Sequence, residues 1–294
     1  MEYEGRVFRP PSEARSFILQ STIGCSQNRC RFCSMYKEKK FRIRPLRDVL
    51  ADVDDVAASP WARHYRRVFL ADGDALMRKT DEQLALFAHI AKKMPHTERI
   101  TSYASPASIA AKSDDELKAL AMGGLEMVYM GLESGSDRVL SYMNKGATAA
   151  EIIRAGQRVR EAGIALSVTA IIGLGGKEGS EEHAIKTGEA LTAMKADYIG
   201  LLTLMLEGEE PLYEDFRAGR FAPPDLMGFL QELHTLISHT DSEGSVLRAN
   251  HASNYINLKG TLNGDTPRLL RELEEKSSGA IEDARYSSSG SSVS

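Results

Sequence analysis

Three cysteines, Cys25, Cys30 and Cys33, lie in one short run, GCSQNRCRFCSMY, and the chain has no others. An odd, tightly clustered set argues against a disulfide framework and for thiolates that share one metal site. The spacing Cys25-x4-Cys30-x2-Cys33 suits three corners of an iron–sulfur cube. With no fourth cysteine, one iron would stay open to an exogenous ligand. Two other chemistries use clustered cysteines. A structural zinc needs a fourth protein ligand, and the nearest histidine, His64, is far along the chain. A redox dithiol at Cys30 and Cys33 would belong to a thioredoxin-like pattern, which the flanking residues lack.

The elements that must position these thiols are apolar, β-rich runs at residues 16–22, 67–71, 100–104, 127–133, 166–173 and 198–205. Helical spacing fills the gaps between them. Capping boxes are expected at Thr80 with Gln83, Ser113 with Glu116, and Thr148 with Glu151. Pro45 suits a first helical turn ahead of the stripe Val49, Leu50, Val53 and Val56, and Gly163 suits a helix stop. Strand and helix in alternation imply parallel strands joined by crossovers. The runs are apolar on both faces, as buried parallel strands are. Six such units predict an α/β fold, a partial parallel (β/α)6 barrel, with a doubly wound open sheet as the alternative. The cysteine loop follows the first run directly, which places it at the C-terminal mouth of the sheet, where such folds gather their active sites.

This reading divides the chain into an N-terminal extension (1–15), a core (16–205), a C-terminal closing segment (206–276) and a Ser/Gly-rich tail (277–294). The closing segment is expected to hold a helix at 229–237, a strand at 245–248 and a helix at 269–276. The tail carries too little apolar surface to order itself and is expected to be mobile.

Composition bounds the rest. Apolar residues make up 42% and charged residues 27% of 294 residues, an ordinary globular mix. A net charge of −4 is not that of a nucleic-acid sponge. No uncharged apolar run reaches membrane-spanning length, and the first residues lack a signal peptide's apolar core. A cytoplasmic location is the expectation.

At the cysteine loop the chain resembles the radical S-adenosylmethionine (SAM) superfamily. Phe32 stands at the aromatic position before the third cysteine, although the first gap, at four residues, is one longer than usual. Asp72-Gly73-Asp74 ends the second run where that family carries a Gly-Gly-Glu-like turn that receives the SAM amine. Gly131-Leu132-Glu133-Ser134-Gly135-Ser136-Asp137 is similar to the tRNA-thiolation and oxygen-independent coproporphyrinogen oxidase type. The resemblance implies that Glu133 and Ser134 face the SAM ribose or sulfonium. It implies that Gly173 lies close to the adenine and that Thr203 contributes backbone contacts there. Ser134 or Asp137 would also suit a helix cap. The glycines at 173, 175 and 176 match neither a phosphate-binding P-loop nor a dinucleotide fingerprint. Cys25, Cys30 and Cys33 would then hold a [4Fe–4S] cluster. SAM would be cleaved reductively to a 5′-deoxyadenosyl radical that abstracts hydrogen from a substrate, as oxidoreductase or transferase chemistry. The non-catalytic alternative is a metal-binding scaffold or metallochaperone.

Absences and charges narrow the partners. No cysteines remain for an auxiliary cluster, which disfavours methylthiotransferases, and the residues before Ser16 are too few for a cobalamin-binding domain. The basic residues Arg29, Arg31, Lys37, Lys39, Lys40, Arg42, Arg44 and Arg47 would draw an acidic substrate or an anionic electron donor such as flavodoxin or ferredoxin, or else form a solvated loop. RNA is a further polyanion of that kind, but no RNA-binding domain is attached. His251, Asn254, Tyr255 and Lys259 are candidate substrate contacts in the closing segment.

Overall fold

A computed structural model of the chain describes residues 2–289, with side chains through residue 278. In chain order its elements are β1 (Phe17–Gln20), β2 (Thr22–Ile23), β3 (Arg42–Ile43), α1 (Leu46–Ala57), β4 (Arg67–Ala71), α2 (Thr80–Lys93), β5 (Arg99–Ala104), α3 (Pro106–Ala110), α4 (Asp114–Met122) and β6 (Leu125–Glu133). There follow α5 (Asp137–Tyr142), α6 (Ala149–Glu161), β7 (Ala165–Ile172), α7 (Gly176–Met194), β8 (Tyr198–Thr203), α8 (Leu212–Arg217), α9 (Leu226–Ser238), β9 (Val246–Ala249), β10 (Leu258–Thr261) and α10 (Thr266–Ser289). No described helix is long and apolar enough to cross a membrane.

Eight strands form one sheet in the order β1-β4-β5-β6-β7-β8-β9-β10. The order never reverses, whereas a doubly wound open sheet turns back at a switch point. The winding is therefore that of a partial barrel. Pairing is parallel along β1-β4-β5-β6 and from β8 to β9, and β10 closes antiparallel to β9. The closing segment thus adds two strands where the sequence pattern shows one. The run at 16–22 also divides, because the chain leaves the main sheet at Ser21 and pairs β2 with β3.

The chain forms two compact units, Met1–Gly131 with Asn144–Val168, and Leu132–Met143 with Thr169–Ser294. In the first, one sheet face buries Phe69, Ala71, Met127 and Tyr129, with Ile18, Tyr103 and Val7 packed against them. Val7 belongs to the N-terminal extension, so those residues cover a sheet face. The alternate residues Leu19, Val68, Leu70, Val128 and Met130 are buried as well, so these strands are apolar on both sides. In the second unit, α7 packs on α9. A Cβ at Gly188 would stand 2.8 Å from the Leu236 carbonyl oxygen, so glycine lets the two backbones approach.

Local signals succeed where a side chain is free to cap. Ser113 with Glu116 and Thr148 with Glu151 form reciprocal capping boxes, and Gly163 takes a φ of 84° just past the end of α6. The expected box at Thr80 does not form. Lys79 precedes α2 without a side-chain cap, and the buried Gln83 donates instead to the carbonyls of Leu76 and Arg78. Carbonyls buried in the preceding turn need donors more than the helix end needs a cap. Ser136, rather than Ser134 or Asp137, caps α5. The last helix continues through Ser289, past the Ser277 boundary read from composition, with Ser277 and Ser278 donating back to the carbonyls of Leu273 and Glu274. Residues 290–294 of the expected tail lie outside the described residues. Both threonines invite capping by sequence, and only Thr148 caps. Thr148→Ala is expected to lower stability by about 1 kcal/mol and Thr80→Ala clearly less, as read from urea midpoints.

Candidate functional site

In the first unit the chain leaves β1 beside the end of β4. Ser21 N–H bonds the Ala71 carbonyl at 2.6 Å, Asp72 N–H the Thr22 carbonyl at 3.1 Å, and Gly73 N–H the Gly24 carbonyl at 3.1 Å. Residues 21–24 and 71–73 are thereby zipped together, and the cysteine loop starts from that seam. Gly73 is required by closeness. A Cβ there would stand 2.8 Å from Tyr36 Cε2 and 3.0 Å from Cys25 Cβ.

The two acids beside Gly73 clamp the loop on either side of Cys25. Asp72 accepts from Gly24 N–H at 3.0 Å, from Gln20 Nε2 at 3.2 Å and from Lys39 Nζ at 2.9 Å. Asp74 accepts from the Ser26 hydroxyl, and from Ser105 N–H at 3.0 Å and its hydroxyl at 2.7 Å. Acceptors for a cationic amine were expected here, and the cation that Asp72 receives is this chain's own Lys39. Lys39 also donates to the Arg6 carbonyl.

The rest of the loop is tied by its own polar side chains. Asn28 donates to the carbonyls of Tyr36 and Lys39, while Lys37 donates to the carbonyls of Asn28 at 3.2 Å and Cys30 at 2.9 Å. Asn144 donates to the Arg29 carbonyl at 3.3 Å. Much of the basic stretch is therefore internal. Arg44 pairs with the largely buried Asp52, Arg42 pairs with Glu4 at the surface, and Arg29, Lys40 and Arg47 are exposed. Sequence alone could not separate these lysines and arginines, because their partners lie on other elements.

All three cysteines are half-buried, and none is in a disulfide. Among the described residues, no three His, Cys, Asp or Glu side chains are grouped so as to hold a metal ion. Burial pushes the Cys25 thiol up to about 12, so metal binding there must release its proton. Phe32 is half-buried on the same loop. Next to the loop lies an aromatic wall that sequence reading missed. Phe8 meets Tyr36 edge-on at 5.3 Å, and Phe69 meets Tyr103 edge-on at 4.9 Å. Burial raises the Tyr36 and Tyr103 phenols, which stay protonated.

The second unit holds the remaining expected residues. Glu133 ends β6 with a φ of 65° and is largely buried. Ser134 is fully buried, and its hydroxyl bonds His183 Nδ1 at 2.7 Å. His183 Nε2 lies 3.0 Å from the Ile171 carbonyl and 3.5 Å from Glu232 Oε1. A carbonyl only accepts, so Nε2 carries the proton and Nδ1 accepts from Ser134. Glu232 in turn accepts from Gly173 N–H and the Ser180 hydroxyl. Burial pushes Glu232 up to about 7, against the pull of those donors, and pushes His183 down to about 4.

Gly173 and Thr203 are engaged by the closing segment. A Cβ on Gly173 would stand 2.3 Å from Phe229 Cε1. Thr203 N–H bonds the Ser253 hydroxyl at 3.2 Å, and the Thr203 hydroxyl bonds Asn254 Oδ1 at 3.0 Å. The cavity between Ile172, Thr203, Phe229 and Tyr255 measures about 10 Å3, room for one water. His183 and Glu232 carried no sequence signal, being a lone histidine and a lone acid on separate helices.

The radical SAM superfamily matches residues 19–187. A tRNA-2-methylthio-N(6)-dimethylallyladenosine synthase of Chlorobium phaeobacteroides (strain BS1) is 30% identical over 180 residues, 58% of this chain and 39% of that protein. The chain thus spans about two fifths of the curated relative it matches. Among solved structures, the radical SAM methyltransferase TsrM from Kitasatospora setae, with cobalamin and a [4Fe–4S] cluster bound, aligns with a TM-score of 0.54 at 20% identity, over 71% of this chain and 42% of that one. Methylornithine synthase (PylB) aligns with a TM-score of 0.53 at 12% identity, over 89% and 81% of the two chains. At these identities the structural likeness is one of fold.

Two measurements test the geometry. Lys39→Met strands the buried Asp72 carboxylate and is expected to cost about 3–5 kcal/mol. Arg42→Met breaks only an exposed pair with Glu4 and is expected to cost under about 1 kcal/mol. Equal losses in urea unfolding would refute the clamp. The second test uses pH. The native state keeps Glu232 protonated where the unfolded chain, at an ordinary 4.5, has lost that proton, so this contribution falls as pH rises towards 7. Native His183 stays neutral where the unfolded chain, at 6.5, binds a proton, so its contribution rises with pH from about 4. The two offset between pH 4.5 and 6.5. Glu232→Gln is expected to unmask the histidine, making stability rise by about 1.4 kcal/mol per pH unit across that window. A flat profile would show that His183 is not held neutral.

Proposed function

Because the chain belongs to the radical SAM superfamily, a superfamily of enzymes that use a [4Fe–4S] cluster and SAM, we propose that it cleaves SAM reductively and abstracts hydrogen from a substrate. The observation that carries the reading is the loop at Cys25, pinned on both sides by Asp72 and Asp74 at the end of β4. The residues present fit the group. The donor chemistry is three cysteines on one loop, outside any disulfide, and with no fourth cysteine in the chain one iron would stay open for SAM. A buried tyrosine hydroxyl without a partner among the described residues, that of Tyr36, lies on the same loop.

When bound, the cluster supplies the electron that divides SAM into methionine and a 5′-deoxyadenosyl radical. This chain's residues bind, orient and shield. Cys25, Cys30 and Cys33 hold the cluster. Phe32, the backbone at Gly73, Glu133, Ser134 and the strand ends at Gly173 and Thr203 receive SAM, with Asp72 and Asp74 shaping the turn. Ser134 keeps its hydroxyl fixed through His183, so its orientation is set before SAM arrives. Exposed Arg29, Lys40 and Arg47 suit docking of an acidic electron donor of the flavodoxin or ferredoxin kind. The core assigned to this chemistry is residues 16–205, followed by the C-terminal closing segment 206–276.

Anaerobic reconstitution tests the reading. The wild type is expected to bind four irons per chain and to release 5′-deoxyadenosine from SAM under reduction. Each of Cys25→Ala, Cys30→Ala and Cys33→Ala is expected to lose both, because no spare thiolate exists. Glu133→Ala is expected to keep its iron and visible absorbance, with SAM affinity reduced by about one to two orders of magnitude. Stoichiometric zinc without iron, or full cleavage by a cysteine variant, would overturn the assignment.

A further inference from the structure

Tyr36 is 3% exposed, and its hydroxyl has no hydrogen-bond partner among the described residues. A buried phenol normally finds one. The ring itself is held from several sides. Phe8 meets it edge-on at 5.3 Å, Lys39 Nζ lies 5.5 Å from its centroid, and Asn28 donates to its backbone carbonyl. None of these offers an acceptor to the hydroxyl. Asp72, the nearby carboxylate, is already served by Gln20, Gly24 and Lys39. The ring edge that carries the hydroxyl does face something. Tyr36 Cε2, the carbon next to the phenol carbon, and Cys25 Cβ converge on Gly73, at 2.8 Å and 3.0 Å from where a Cβ would stand.

We propose that the Tyr36 hydroxyl donates a hydrogen bond to a sulfur of the cluster held at Cys25, Cys30 and Cys33. The proposal rests on the cluster reading above. A donor aimed at cluster sulfur favours the reduced, more negative state, and hydrogen bonds to sulfur are one of the protein's means of setting the potential. Tyr36 is a positioning and tuning residue, reaching the chemistry through the cluster.

The test compares wild type with Tyr36→Phe in two states. Without metal, removing an unpartnered buried hydroxyl is expected to leave the melting temperature unchanged or higher. A lower value would reveal a protein partner and overturn the proposal. After anaerobic reconstitution, both proteins are expected to carry equal iron and sulfide. In an EPR-monitored redox titration without SAM, the Tyr36→Phe midpoint is expected to shift to a more negative potential. Equal midpoints, a shift seen only with SAM present, or failure of the variant alone to load a cluster would each overturn the proposal. A wild type that loads no cluster would overturn the functional reading, and this proposal with it.

Discussion

The buried contact between Lys39 and Asp72 is the constraint on which the cysteine loop depends. The two side chains are 4% and 0% exposed and lie 2.9 Å apart. Removing two charges from water is costly, and only good geometry with further hydrogen bonds offsets it. Both conditions are met, because Asp72 also receives Gly24 N–H and Gln20, and Lys39 also reaches the Arg6 carbonyl. The pair ties together the N-terminal extension, the end of β1, the far side of the loop and the end of β4. Its value is in specifying one loop path more than in net stability. A long loop with three thiols and many basic residues would otherwise have many conformations to choose from.

The turn at residues 72–74 shows how one short segment serves several demands. Gly73 lets Tyr36 and Cys25 approach its backbone, while its acidic neighbours anchor the residues before and after Cys25. Asp74 also reaches Ser105, the cap of α3, so the loop is registered against the next strand–helix connection. A thiol fixed in this way pays less ordering entropy when it takes up metal.

In the second unit the same logic uses neutral partners. Ser134 bonds His183, His183 Nε2 lies 3.5 Å from Glu232, and Glu232 accepts from Gly173 N–H, so polar contacts link the ends of β6 and β7 to α7 and α9. Burial keeps the histidine neutral and draws the glutamate towards protonation. A satisfied polar network of this sort rigidifies its surroundings.

Much of the fold was legible because it rests on period and punctuation. Apolar runs at 67–71 and 127–133, with boxes at Ser113 and Thr148, mark β4, β6, α4 and α6 from local chemistry alone. The false box at Thr80 has the same letters, but a buried turn claims Gln83, and no local rule sees that turn. The cysteine cluster and the acids around Gly73 could be picked out because residues that do chemistry were close in sequence. Their partners could not. Lys39 meets Asp72, Tyr36 meets Gly73, and His183 meets Ser134 only after the chain has folded back over dozens of residues. The sequence by itself determined most strands and helices of the core, the parallel direction of those strands and the thiols available to a metal, since these depend on neighbours in the chain. Tertiary structure alone decided which lysine is buried, which phenol lacks an acceptor and which histidine stays neutral. Burial and partnership arise between distant segments, and they set the energy of a charge or a hydrogen bond.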